Sequence, residues 1–329
     1  MKRIKLKLIQ ILDSKLAIII PAYKAEYLDD CLRSIATQTN KNFNVYIGND
    51  YSPYNIESIV VKYKDTIDIE YKKFDNNLGD ISLIKQWERC IAMIDDEEWI
   101  WLFSDDDMMD PDCVESFYNL QNENHDCNVF RFNLQVINSS GNVVRTTIYP
   151  KEESAESFLM NRFSLKYDSA ISNYIFSREA YDKFGFKEFP LAWCSDDASV
   201  VNLSEGKSII TIPESNVQWR ISDSNISSLS SDAVQRQKIF ARLEYLRWLY
   251  STKKFSCLND SANKHIILNW MIGPQKIEFQ GLSAKENKNL LRQTEKIIGK
   301  RIRSYRLKNS VVNLKFRIRL KIKSIRANK

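Results

Sequence analysis

With 329 residues, 43% of them hydrophobic and 12% aromatic, the chain can bury a core of ordinary size without disulfide or metal staples. Two histidines, His125 and His265, and six scattered cysteines without CxxC spacing leave almost no raw material for a histidine triad or a zinc site, so chemistry must lean on carboxylates. The net charge of +6 is uneven, because Lys300 to Lys329 is densely basic and no acidic residue follows Glu295.

The opening MKRIKLKLIQIL interleaves lysine with apolar positions and forms no clean signal core. No apolar run approaches the roughly 18 to 20 residues of a membrane span, so a cytoplasmic protein, soluble or surface-attached, is expected. LAIIIPAY, Leu16 to Tyr23, reads as a strand buried on both faces and stopped by Pro21. Glu26 to Thr37 then places Leu28, Cys31, Leu32 and Ile35 at helical spacing. Strands are predicted over Asn42 to Asp50 and Ile67 to Phe74, with a helix over Ile56 to Tyr63 between them.

A further helix spans Ser82 to Ile94, then a buried strand, Glu97 to Ser104, ends in Asp105, Asp106 and Asp107. A pair of strands is expected over Asn128 to Thr147, loops from Tyr149 to Asp168, helices over Tyr174 to Phe184 and Asp196 to Leu203, and a last strand over Ser208 to Ile212. Beyond Arg220 longer amphipathic helices take over, such as Asp232 to Tyr250. The alternation predicts an α/β fold with a mostly parallel sheet flanked by helices, divided into residues 1–218, a helical extension over 219–300 and a basic tail over 301–329.

Three adjacent carboxylates at a strand end repel one another unless a cation intervenes, and Mg²⁺ or Mn²⁺ suits oxygen ligands shared with substrate phosphates. The run alone is equally a solvated acidic turn. Its company is more specific. IIIPAY, CLRSIATQT, VYIGNDYSP, FDNNLG, WLFSDDDMMDP and CSDDASV resemble, in order over residues 16–213, the characteristic elements of glycosyltransferase family 2, the inverting, nucleotide-sugar-dependent enzymes of the Rossmann-like GT-A fold.

The resemblance implies roles residue by residue. Pro21 and Tyr23 would close the first strand at the nucleotide base, with stacking or core packing open for Tyr23. Asp50 would accept from the nucleobase or merely form a turn, and Asn49 stands where the family has a preceding acid. Ser104 replaces an acid of the family's DXD element; counting back from Pro111 makes Asp106 the metal ligand, with Asp105 at the ribose and Asp107 supporting either. Asp197 would be the base, with Asp196 in place of the family's glutamate, or the pair would cap a helix. Arg220 lies where related enzymes carry a basic residue on a loop over the diphosphate, and Trp193 would line the acceptor or pack in the core.

The activity that the resemblance implies is transfer of a UDP-linked sugar to a glycan or lipid-linked glycan of the cell surface. In the tail, VVNLKFRIRLKIKSIR alternates apolar and basic residues, as does the N-terminal RIKLKL, which suits an anionic membrane at its inner face, a solvated tail or a nucleic-acid-binding segment. No nucleic acid is expected as a partner. Two other functions share these features: a noncatalytic nucleotide- or glycan-binding scaffold, and a sugar nucleotidyltransferase, which needs a glycine-rich basic loop that PAYKAEYL lacks.

Overall fold

The computed structural model describes residues 16–223, 225–272 and 282–300. The N-terminal RIKLKL and the 301–329 tail, with the membrane-surface expectation they carry, lie outside the described residues.

Strand β1, Leu16–Ala22, is the central strand of the first half, because its β-branched residues have apolar partners on both faces. It is flanked in parallel by β2, Asn44–Asn49, and β4, Trp99–Leu102, with β3, Ile69–Lys73, parallel beyond β2. Pro21 is tolerated because pairing with β4 has ended at Ile19, leaving only β2 beside it. Helices α1, Leu28–Ala36, α2, Ile56–Val60, and α3, Leu83–Ile91, connect these strands. The α1 stripe Leu28, Cys31, Leu32 and Ile35 is buried as its spacing predicts, and Asp29 and Asp30 sit at the positive end of the helix.

The second half carries β5, Met108–Met109, α4, Cys113–Glu123, β6, Val129–Ile137, β7, Val143–Thr147, and β8, Glu152–Glu153. It continues through α5, Ala155–Phe163, β9, Tyr174–Ser177, α6, Arg178–Phe184, α7, Ser195–Leu203, and β10, Ile209–Arg220. The sheet runs β3-β2-β1-β4-β9-β6-β10-β5, with β7 on β6 and β8 on β10. β9 is antiparallel to both neighbours, whereas β6 and β10 are again parallel. Three helices, α8, Asp232–Thr252, α9, Ser261–Ile272, and α10, Ala284–Ile298, complete the described chain.

Three local expectations are corrected. Tyr174 to Phe184 is not one helix: Tyr174, Ile175 and Phe176 are buried between β4 and β6 as strand, and the helix starts only where Ser177 caps Ala180 N–H. The loops expected from Tyr149 to Asp168 contain α5, capped by Ser154 and burying Phe158, Leu159 and Phe163. The last strand passes Ile212 because a register shift between Ile212 and Asn216 carries the chain around Pro213.

Alternation along β1 sends Leu16, Ile18 and Ile20 into one apolar layer with α1, α2 and α4, and Ala17 and Ile19 into another with α3, α5 and α7. The second layer also takes Ile239, Leu243, Leu246 and Leu249 of α8, Trp270 of α9 and Leu290 of α10. The C-terminal helices therefore share a core with the sheet. No helix among the described residues is long and apolar enough to cross a membrane.

Helix α3 lies so close to β2 that a Cβ on Gly48 would meet Cys90 Sγ at 2.3 Å and Phe74 Cε2 at 2.9 Å. Gly48→Ala is expected to lower stability by about 1–3 kcal/mol through overpacking, read as a shift in the urea unfolding midpoint.

Candidate active site

The three aspartates come directly after β4, beyond the carboxyl edge of the sheet, and all are buried. Each is held differently. One oxygen of Asp105 accepts from the Tyr23 and Lys24 backbone N–H groups, both at 2.8 Å, which ties the acid turn to the end of β1. Asp107 accepts from the Ser172 hydroxyl at 2.6 Å and the Arg220 N–H at 2.9 Å. Asp106 meets a side chain instead, the Lys24 ammonium at 2.6 Å.

Burial and the neighbouring Asp106 charge raise the pKa of Asp105 to about 6 and that of Asp107 to about 7. For Lys24, burial works against the ammonium, but Asp106, aided by Asp105 and Asp107, outweighs it and the pKa is raised.

Arg220 is the last residue of β10, not a member of a loop, and only 1% of it is exposed. Its guanidinium donates to the carbonyls of Asp106 at 2.9 Å and Ser139 at 3.1 Å, pairs with Asp30 at 3.3 Å, and lies over the Tyr27 ring. It is thus packed directly beneath the acid turn. At the edge of β2, Asp50 accepts from Leu78 N–H at 2.7 Å and Gly79 N–H at 2.8 Å, and is paired with Arg89, whose guanidinium lies 4.0 Å from the Phe74 ring centroid. A Cβ on Gly79 would come within 2.5 Å of Asp50, so the FDNNLG glycine is needed for this approach. Tyr23 is not core: it is 39% exposed, as Tyr51 and Tyr54 after β2 are exposed too.

Asp196 and Asp197 open α7, where the helix N-terminus favours negative charge. Asp197 is buried and paired with Arg162 of α5 at 2.8 Å, while its N–H donates to Asp196 at 2.9 Å. Asp196 is less buried, and desolvation together with the Asp197 charge raises its pKa from 3.8 to about 7, against the pull of Arg162. The corner that delivers the pair is strained: Leu191, Ala192 and Cys194 all take left-handed backbone, at φ 60°, 52° and 69°. Such residues cost on the order of 1 kcal/mol or more each and cluster where side chains must be aimed.

Asn225, Ser227 and Leu229 meet cations that themselves neighbour the two acid groups. Asn225 accepts from Lys24 at 2.9 Å and Ser222 at 2.9 Å, and donates to the Arg220 carbonyl at 2.6 Å. Further along, the carbonyls of Ser227 and Leu229 accept from Lys238 of α8, whose ammonium sits 4.6 Å from the centroid of the Trp193 ring. Trp193 stands three residues before Asp196. Asn225 thus lies one contact from Asp106, through Lys24, while Ser227 and Leu229 reach the Trp193 corner only through Lys238.

Among the described residues no three or more His, Cys, Asp or Glu side chains gather as a metal cage. Asp105 and Asp107 face backbone and hydroxyl donors, which leaves Asp106 as the carboxylate that would hold a divalent ion. Mg²⁺ and Mn²⁺ commonly take one or two carboxylates and complete their shell with phosphate oxygens and water, so this donor set fits them in the presence of a diphosphate. Lys24, Arg162, Ser172, Asn225 and Lys238 escaped sequence reading, and Arg89 had no role there. Only long-range contacts mark most of them, Arg162 with Asp197, Ser172 with Asp107 and Lys24 with Asp106 lying 35, 65 and 82 positions apart and Lys24 with Asn225 201 apart. Lys24 alone carried a local signal, since it comes immediately after the Pro21-x-Tyr23 strand end.

The chain matches the family model described as Glycosyl transferase family 2 over residues 17–185. Among solved structures it is similar to S. aureus TarS 1-349 in complex with UDP-GlcNAc, at 16% identity and TM-score 0.63, covering 86% of this chain and 81% of that one. The same fragment in complex with UDP gives 17% identity and TM-score 0.57, covering 86% and 80%. Against S. aureus TarS in a longer form the identity is 17% and the TM-score 0.60, with 86% of this chain and 49% of that chain covered. At these identities the likeness bears on the fold, which is GT-A. No match is found among curated proteins.

The Asp196 carboxyl has a testable consequence. Folded Asp196 retains a proton that the unfolded chain releases between about pH 4 and 7, so its contribution to stability declines as pH rises through that window. Asp196→Asn is expected to melt a few degrees above wild type at pH 8, with the gap closing toward pH 4, measured by differential scanning calorimetry across pH.

Proposed function

The chain belongs to glycosyl transferase family 2, and from that premise we propose that it moves a sugar from a UDP-linked donor to a hydroxyl of a glycan or lipid-linked glycan in cell-surface polysaccharide synthesis, with inversion at the anomeric carbon. The observation that supports the reading is the buried run Asp105 to Asp107 just beyond the carboxyl end of β4 together with a second acid pair, Asp196 and Asp197, at the start of α7, because an inverting transfer needs charge stabilisation on one side of the reacting carbon and a base on the other. The UDP-GlcNAc and UDP in the TarS complexes support a uridine donor for this fold. The basic 301–329 segment supports a station in the cytoplasm at the inner face of an anionic membrane.

In this reading Tyr23, after Pro21, offers a stacking face for the base, and Asp50, fixed by Arg89 and the Gly79 turn, borders the same edge. Asp105 draws the β1 end toward the ribose, and Asp107 anchors the turn to Ser172 and β10. A divalent ion on Asp106 would supply Lewis acidity toward the departing diphosphate. Arg220 adds positive charge directly under that turn.

Asp196 and Asp197 together act as the base. Arg162 fixes Asp197 in place, and the raised pKa of Asp196, about 7, suits a group that must take a proton from a hydroxyl near neutral pH and release it again.

The test mixes the protein with Mn²⁺ and a panel of nucleotide sugars and measures nucleotide release. Asp106→Asn, Asp196→Asn and Asp197→Asn are each expected to lower kcat by about 10²-fold or more. Wild-type turnover should fall as pH drops through about 7, where Asp196 takes up its proton. Full turnover in both Asp106→Asn and Asp197→Asn would refute the mechanism, and metal-dependent UDP binding without release across many acceptors would favour a noncatalytic scaffold.

A further inference from the structure

Lys24 is the one cation on Asp106 among its described contacts, and its position explains what the run of acids does without a donor. Three buried aspartates in succession place strong negative charge at the end of β4. Asp105 and Asp107 receive N–H and O–H donors, which solvate charge without neutralising it. The Lys24 ammonium, 2.6 Å from Asp106 and with its side chain 27% exposed, supplies the countercharge, steadied by Asn225 at 2.9 Å.

We infer that Lys24 is a displaceable counter-ion, holding the Asp106 carboxylate against a divalent cation and giving it up when that cation arrives with the donor diphosphate. The inference rests on the transferase reading only for the identity of the diphosphate. An ammonium at hydrogen-bond distance from one carboxylate oxygen neutralises the charge that attracts a second cation and repels one approaching the same carboxylate. The long lysine stem lets the ammonium leave without moving β1, whose end stays fixed through the Tyr23 and Lys24 backbone contacts to Asp105. The phosphate oxygens then give the ammonium a new anionic partner. Metal and donor should therefore bind cooperatively, each weakly alone, so that a metal does not sit idle on the empty enzyme.

The experiment titrates the full-length, donor-free protein with MnCl₂ alone by isothermal calorimetry. Lys24→Met and Lys24→Gln are expected to bind Mn²⁺ roughly tenfold more tightly than wild type, within the usual range of coupling between neighbouring sites. The gain should vanish in Lys24→Met combined with Asp106→Asn, and Lys24→Arg should bind as weakly as wild type. Unchanged or weaker Mn²⁺ binding in both neutral variants, with a circular dichroism spectrum like wild type, overturns the inference, as does a gain that survives Asp106→Asn. Because no donor is present, this outcome is separate from nucleotide release, whose failure strikes the transferase reading instead.

Discussion

Three consecutive buried carboxylates at the end of one strand are the constraint around which the rest of the molecule is arranged. A buried charge without partners costs several kcal/mol, and neighbouring like charges add to it. The chain answers by giving each aspartate a different kind of donor from a different part of the fold: the β1 end for Asp105, a lysine side chain for Asp106, and β10 with the turn before β9 for Asp107. The topology serves this arrangement. β1 must lie beside β4, β9 must insert antiparallel so that Ser172 reaches over, and β10 must run on past its bulge so that Arg220 ends under the turn.

Much of this was legible in the sequence, for a physical reason. Strand β1 announces itself because it is buried on both faces, and α1 because its apolar stripe is clean. The acids stand out because carboxylate runs are rare at the end of an apolar strand. Their partners were not legible, since nothing local distinguishes Arg162 or Lys238 from a surface cation; each acquires its meaning only when folding brings it to a residue far away in the chain. Arg220 shows the converse. Its position was found, but its burial and its place on a strand depend on a register shift around Pro213 that suggested a strand end. β9 was hidden for a similar reason, since a short apolar strand runs straight into a well-formed helix with Ser177 as its cap.

The two acid groups differ in how they are supported. The strand-end turn is tied to β1 and β10 by backbone N–H groups, with the Ser172 hydroxyl and the Lys24 ammonium completing it. The helix-start pair depends on side chains: Arg162 on Asp197, and Lys238 and Arg242 around Trp193. The first is fixed from the sheet, the second by packing between helices.

That contrast gives the C-terminal helices a meaning beyond bulk. The left-handed corner at Leu191, Ala192 and Cys194 would relax if nothing opposed it, and what lies against it is α8, through Tyr245 and Trp248 on Phe189 and Lys238 on Trp193. The helix works as a splint across a bent joint. Damage to it would release the corner that positions Asp196 and Asp197.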